Sequence, residues 1–163
     1  MAIHLRITIT ANNSGNYTVI GRCYFANSAG GTTPVSPASY FGSTNLYGAQ
    51  FNFASVYLQN WVWHSTSLGV PFMGGIVCAN EAEIPFDLFI KNTGDIANRS
   101  PNNFTVERSF DSGSTWETLK SFTDQINWAA GEERRFVLFN PTKLPTIIKT
   151  LQPSHHQIAR LGL

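Results

Sequence analysis

Residues 100–122 read SPNNFTVERSFDSGSTWETLKSF. Phe104 and Val106 fall on one side of an extended chain, Thr105 and Glu107 on the other, the alternation of a half-buried strand. Ser109-Phe110-Asp111-Ser112-Gly113-Ser114-Thr115-Trp116 then interrupts the strand. Asp and Ser side chains bond nearby backbone N–H groups, and glycine takes a positive φ without steric cost, so Gly113 is expected in that conformation. Thr115 and Trp116 restart the extended chain. Trp116 is expected to carry its ring into the core, over Phe104 and Val106. The stretch is one β-hairpin, and it points to an antiparallel all-β fold.

Two resemblances rest on these residues. Ser109 to Trp116 resembles the Asp-box of sialidase-type propellers, S-x-D-x-G-x-x-W. That box is a structural turn, here formed by Ser109, Asp111, Gly113 and Trp116, and it occurs once, whereas a propeller repeats it in each blade. The wider pattern is Pro-x-x-Phe-Thr-Val, an Asp-Ser-Gly turn, a Thr-Trp pair and a Gly-Glu-x-Arg-x-Phe strand. It is similar to discoidin-like (coagulation factor 5/8 type C-like) domains of bacteriophage virion and tail proteins. Those domains open in a similar way, with an Arg-containing strand, an Asn/Gly turn ending in Tyr-Thr, and a second strand. Arg22 stands where many carry an acidic residue. In the family an Ala-Phe-Asp segment precedes a tryptophan; here Asn52 occupies the acidic position, so no carboxylate role is carried over.

Outward from the hairpin, Ile3, Leu5, Ile7 and Ile9 alternate with His4, Arg6, Thr8 and Thr10, an amphipathic strand. Residues 12–16 read as a turn and Tyr17 to Phe25 as a second strand. Ala26 to Gly48, rich in Gly, Ser, Thr, Pro and Asn, reads as loop. Trp61-Val62-Trp63 reads as a core strand. Pro71 to Cys78 reads as a buried strand with a bulge at its paired glycines. Ile84 to Ile90 is a further strand, residues 91–103 a polar loop, and Gly131-Glu132-Glu133 turns the chain into Arg134 to Phe139, where Phe136 and Leu138 share a face. Helical periodicity extends no further than about two turns. Seven or eight short strands with turn signals between them predict an antiparallel β-sandwich. The resemblance makes it a discoidin-like jelly roll.

The chain has 163 residues, enough for one domain with a core, or for one domain plus a tail. With 42% hydrophobic, 13% aromatic and 13% charged residues it folds, and its low charge suits a surface that packs on other subunits. The net charge of +1 with scattered Lys and Arg leaves no nucleic-acid footprint. Residues 1–5 lack a basic n-region before an apolar run, and no apolar stretch reaches the length of a membrane-spanning helix. The expectation is a protein made and folded in a host cytoplasm, with no membrane insertion. Cys23 and Cys78 sit in strand-like segments and read as buried free thiols, a disulfide being the alternative.

No G-x-S-x-G, H-E-x-x-H, Walker or C-x-x-C motif occurs, and neither a catalytic residue nor a cofactor or metal is expected. His4 and His64 are isolated, and His155-His156, as neighbours in an extended segment, point apart. Glu81 and Glu83 read as an acidic rim, and Asp111 as a turn residue. Tyr40, Phe41 and Tyr47 are candidate contacts to a glycan or to another subunit.

Two units follow: residues 1–140 as the sandwich and 141–163 as an extended C-terminal arm. Pro141, Pro145 and Pro153 deny the arm a long helix. Ile147, Ile148, Leu151, Ile158 and Leu161 are expected to bridge subunits. The resemblance implies a non-enzymatic structural component of a tailed-phage virion (tail, baseplate, fibre or head decoration). It would be homo-oligomeric, with copies of itself and other virion proteins as partners. The alternatives are a carbohydrate-binding adhesion module on a host-surface glycan and, from the Asp-box, a sialidase-like enzyme.

Overall fold

The computed structural model describes residues 2–13, 17–44, 46, 48, 52–57, 62–65, 70–80, 85–94 and 97–139. Within them lie ten strands: β1 (His4–Asn12), β2 (Val19–Ile20), β3 (Arg22–Ala26), β4 (Pro37–Gly42), β5 (Trp63–His64), β6 (Phe72–Cys78), β7 (Asp87–Lys91), β8 (Pro101–Ser109), β9 (Glu117–Phe122) and β10 (Glu133–Val137). The described residues also include a five-residue helix α1 (Phe53–Tyr57) and a 3₁₀ turn at Ala97–Arg99. A five-stranded sheet in the order β4-β6-β1-β8-β9 faces a three-stranded sheet, β10-β7-β3, and β2 pairs with β5. All pairings are antiparallel, so the fold is an all-β sandwich.

The period-two pattern of β1 decides its orientation. Leu5, Ile7 and Ile9 are fully buried, and His4, Arg6 and Thr8 face outward. Across the ladder Ile7 pairs with Val106 and Ile9 with Phe104, so the hairpin's apolar face joins that of β1. The small sheet meets it with a buried row of Phe25, Leu88 and Phe136, which pair with one another across β3, β7 and β10. Rings interlock between the layers: Phe136 stands edge-on to Phe104 at 4.9 Å and to Phe122 at 5.0 Å. At the other end Trp63, fully buried, stacks on Phe72 at 4.4 Å and meets Phe53 edge-on at 5.0 Å.

Three expectations about the elements change. Ala26 to Gly48 is not all loop: it contains β4, the edge strand that pairs with β6. Its half-exposed pattern and its Pro and Ser residues suit an edge, where an unpaired N–H faces solvent. Tyr17 to Phe25 is not one strand. It breaks at Gly21, whose N–H bonds Lys91 O at 2.9 Å, and the two pieces join different sheets. No bulge marks the glycine pair of β6, which runs in unbroken register with β1. The glycines make room on both faces instead: a Cβ on Gly74 would collide with Phe53 and Trp63, and one on Gly75 with Phe41 and the β1 backbone. The irregularity lies on β4, between Pro37 and Ser39. The helix α1 was hidden by its brevity. Asn52 caps it, its Oδ1 accepting the Ser55 N–H at 3.1 Å and the Ser55 hydroxyl at 3.2 Å.

Cys23 and Cys78 are buried and unbridged, as free thiols. Residues 141–163, with Ile147, Ile148, Leu151, Ile158, Leu161 and the two histidines, lie outside the described residues. So do Tyr47, Trp61, Glu81 and Glu83.

Candidate binding surface

The turn of the β8–β9 hairpin is built by side chains. Ser109, buried at the end of β8, accepts the Gly113 N–H at 2.9 Å and the Asp111 N–H at 3.3 Å on its hydroxyl. It donates that hydroxyl to Asp111 Oδ1 at 2.7 Å. The same Oδ1 accepts the Thr115 N–H at 2.8 Å, and Oδ2 accepts the Thr115 hydroxyl at 2.6 Å. Ser112 and Gly113 follow one another in the left-handed region, with φ of 59° and 86°, so the glycine sits where it was expected. The Thr115 and Ser109 bonds hold the Asp111 carboxyl well below the usual carboxylate range. A carboxylate so held does not donate a proton near neutrality, and the geometry makes Asp111 a clamp on the turn.

Trp116 does not enter the core. It is half-buried on the outer face of the large sheet, away from Phe104 and Val106. Its Nε1–H bonds Gly113 O at 2.9 Å, which folds the ring back over its own turn. The Arg6 guanidinium lies 3.8 Å from the ring centroid, a cation–π contact. Among the described residues, the tryptophans that pack in the core are Trp63 and Trp128.

Strand register explains why Arg6 is there. Phe41 on β4 pairs with Gly75 on β6, Gly75 with Arg6 on β1, and Arg6 with Glu107 on β8. These four residues form one transverse row on the outer face. Phe41 lies over Gly75, which has no side chain to hold it off. Arg6 Nε bonds Glu107 Oε2 at 2.7 Å, and Thr8 donates its hydroxyl to the same oxygen at 2.8 Å. Burial pushes the Glu107 carboxyl up, but the Arg6 and Thr8 hydrogen bonds and the Arg6 charge outweigh it, so Glu107 titrates below its ordinary value. The Trp116 ring lies within 6.0 Å of Phe41, centroid to centroid, and His4 lies 5.7 Å from Phe41. His4, Arg6, Phe41 and Trp116 form a ledge of four planar groups.

The structure thus joins two sets of residues that the sequence kept apart, the hairpin turn and one of the loop aromatics. It separates Tyr40 from Phe41. Tyr40 pairs with the buried Ile76 and turns inward, edge-on to Tyr57 at 5.7 Å. Burial raises its phenol pKa. An open groove of about 320 Å³ continues from Phe41 around the β4 edge, past Leu46, Asn52 and Phe53. In the sequence His4 and Arg6 read as the polar side of an amphipathic strand, and Gly75 as part of a bulge. The available signal was that His4 and Arg6 share the outward side of the most regular strand.

Two other features are self-contained. Asp87, fully buried, bonds the Gly30 N–H at 2.6 Å and Arg135 Nε at 3.0 Å, which ties the 27–33 loop to the small sheet. A second groove of about 400 Å³ lies between Asn13, Asn98 and Trp128. Among the described residues no group of three His, Cys, Asp or Glu is placed to hold a metal ion, and no helix is long and apolar enough to cross a membrane. No family model matches the chain, and comparisons with curated proteins and with solved structures gave no match.

Proposed function

We propose that this chain is a non-enzymatic structural component of a tailed-bacteriophage virion, made in the host cytoplasm and working by surface contact with copies of itself and with other virion proteins. The observation that carries the reading is the ledge. Asp111, the acid of the Asp-box, is committed to holding a turn, and that turn delivers Trp116 to a contact surface with Phe41 and Arg6. Half-exposed aromatics and an arginine on a sheet face are the residue types enriched in protein contacts. The similarity of residues 3–25 and 99–139 to discoidin-like domains of phage virion and tail proteins, together with the low charge, supports the same reading.

The test is the protein content of purified particles of a phage encoding this chain. The chain is expected at a fixed copy number, hundreds for a capsid position and single or low double digits for a tail position. Absence from particles, or glycoside hydrolysis by the purified chain, overturns the proposal. The adhesion-module reading stays as the second, because Phe41 and Trp116 together form a surface that a sugar ring could use as well as a subunit.

A further inference from the structure

The Phe41–Trp116 ledge is more than apolar cover. Arg6 has one face against Trp116, and its Nε is committed to Glu107, but its two terminal nitrogens make no hydrogen bond among the described residues. The His4 ring nitrogens are likewise without a partner there. All four groups are half-buried, so they are held in place and still reachable. Thr8 anchors Glu107 from the next outward position of β1, which stiffens the ion pair without consuming the Arg6 terminus.

The charges at the ledge cancel. Arg6 is positive, Glu107 is negative, and the neighbouring outward positions of β1 and β8 are Thr8 and Thr105. A site that attracts phosphate or a sugar acid leaves a cation unpaired for the ligand; this one pairs its arginine before any ligand arrives. What remains is an aromatic surface beside planar N–H donors and a ring nitrogen that accepts. A ligand that matches has an apolar face and a rim of uncharged hydroxyls, each both donor and acceptor.

We infer that the ledge of His4, Arg6, Phe41 and Trp116 binds a neutral pyranose, whose C–H face packs on the two rings and whose hydroxyls take the Arg6 terminal N–H groups and His4. The groove that leaves Phe41 around the β4 edge gives the next sugar of a chain a path off the ledge, past Asn52. The inference deepens the second reading of this surface, the adhesion module, and rests on it. It concerns the sheet face, not Tyr40, which turns inward.

Saturation-transfer NMR on the full chain tests it, with D-galactose, D-glucose, D-mannose and N-acetyl-D-glucosamine as neutral probes and N-acetylneuraminic acid as the charged one. At least one neutral sugar is expected to receive saturation, with the charged sugar binding more weakly. Phe41→Ala and Arg6→Gln should each weaken that binding about tenfold, the size of one good contact. Trp116→Ala should abolish it. Near-UV circular dichroism of each variant separates lost binding from lost folding, and Arg6→Gln leaves both rings in place should either aromatic variant unfold. No transfer to any neutral sugar, transfer to N-acetylneuraminic acid alone, or transfer unchanged in folded Phe41→Ala and Arg6→Gln overturns the inference. Loss of self-association in the ledge variants without sugar binding also overturns it and makes the ledge a subunit contact. Particle composition is read independently, so the virion proposal and this one fail separately.

Discussion

Trp116 and Trp63 have the same side chain and different work. Trp63 is fully buried between Phe53 and Phe72, so Trp63→Ala should cost about 3–5 kcal/mol in chemical denaturation, the range for a large aromatic removed from a core. Trp116 covers an outer face and holds one hydrogen bond and one cation–π contact, so Trp116→Ala should cost only about 1–2 kcal/mol. Equal losses in the two variants would show that the ring is buried after all. The glycines divide in a similar way. Gly113→Val meets a backbone angle that a β-branched residue avoids, and at least about 1 kcal/mol should be lost. Gly75→Ala meets the β1 backbone and the Phe41 ring in a close-packed site, and about 1–3 kcal/mol should follow from the forced shift.

At the level of the element, the hairpin turn carries a pH signature. Asp111 has a folded-state pKa depressed by the Thr115 and Ser109 hydrogen bonds. Its contribution to stability is therefore fully present above the unfolded carboxyl pKa, about 3.9, and is lost as pH falls through the lower folded value. Asp111→Asn removes that term. The melting-temperature gap between parent and variant should be constant from pH 7 to about 5 and should narrow in more acidic buffer. A gap that widens on acidification would contradict the turn geometry. Strand β3 offers a simpler check. Cys23 is fully buried, and desolvation pushes its thiol far up, so alkylating reagents should label it only when the chain unfolds. Rapid labelling of the native protein would place Cys23 elsewhere.

For the whole molecule, the sandwich closes its core with residues up to Phe136, and Leu138 packs against it. Under the proposed function, residues 141–163 serve assembly. Deleting residues 142–163 should leave the melting temperature unchanged and abolish multimers in analytical ultracentrifugation. Unfolding of the truncated chain, or normal assembly by it, rejects the bridging arm.

The readable parts of this protein were the local ones. The alternation of β1 and β8, the Ser-Asp-Gly turn and the positive φ of Gly113 follow from side-chain period and turn chemistry within a few residues. An all-β antiparallel sandwich follows from those. The edge strand β4 was not readable, because it lies in a Pro-, Ser- and Gly-rich stretch and is extended only by pairing with β6. The destination of Trp116 was not readable either, since a residue just past a turn reaches either face and the Gly113 carbonyl and Arg6 decide which. The candidate site depends on register between distant segments: Arg6 and Glu107 are 101 residues apart, and a slip of one position would turn one of them into the core. Local sequence determined which residues face outward, and only the ladder of β4, β6, β1 and β8 decided which of them meet.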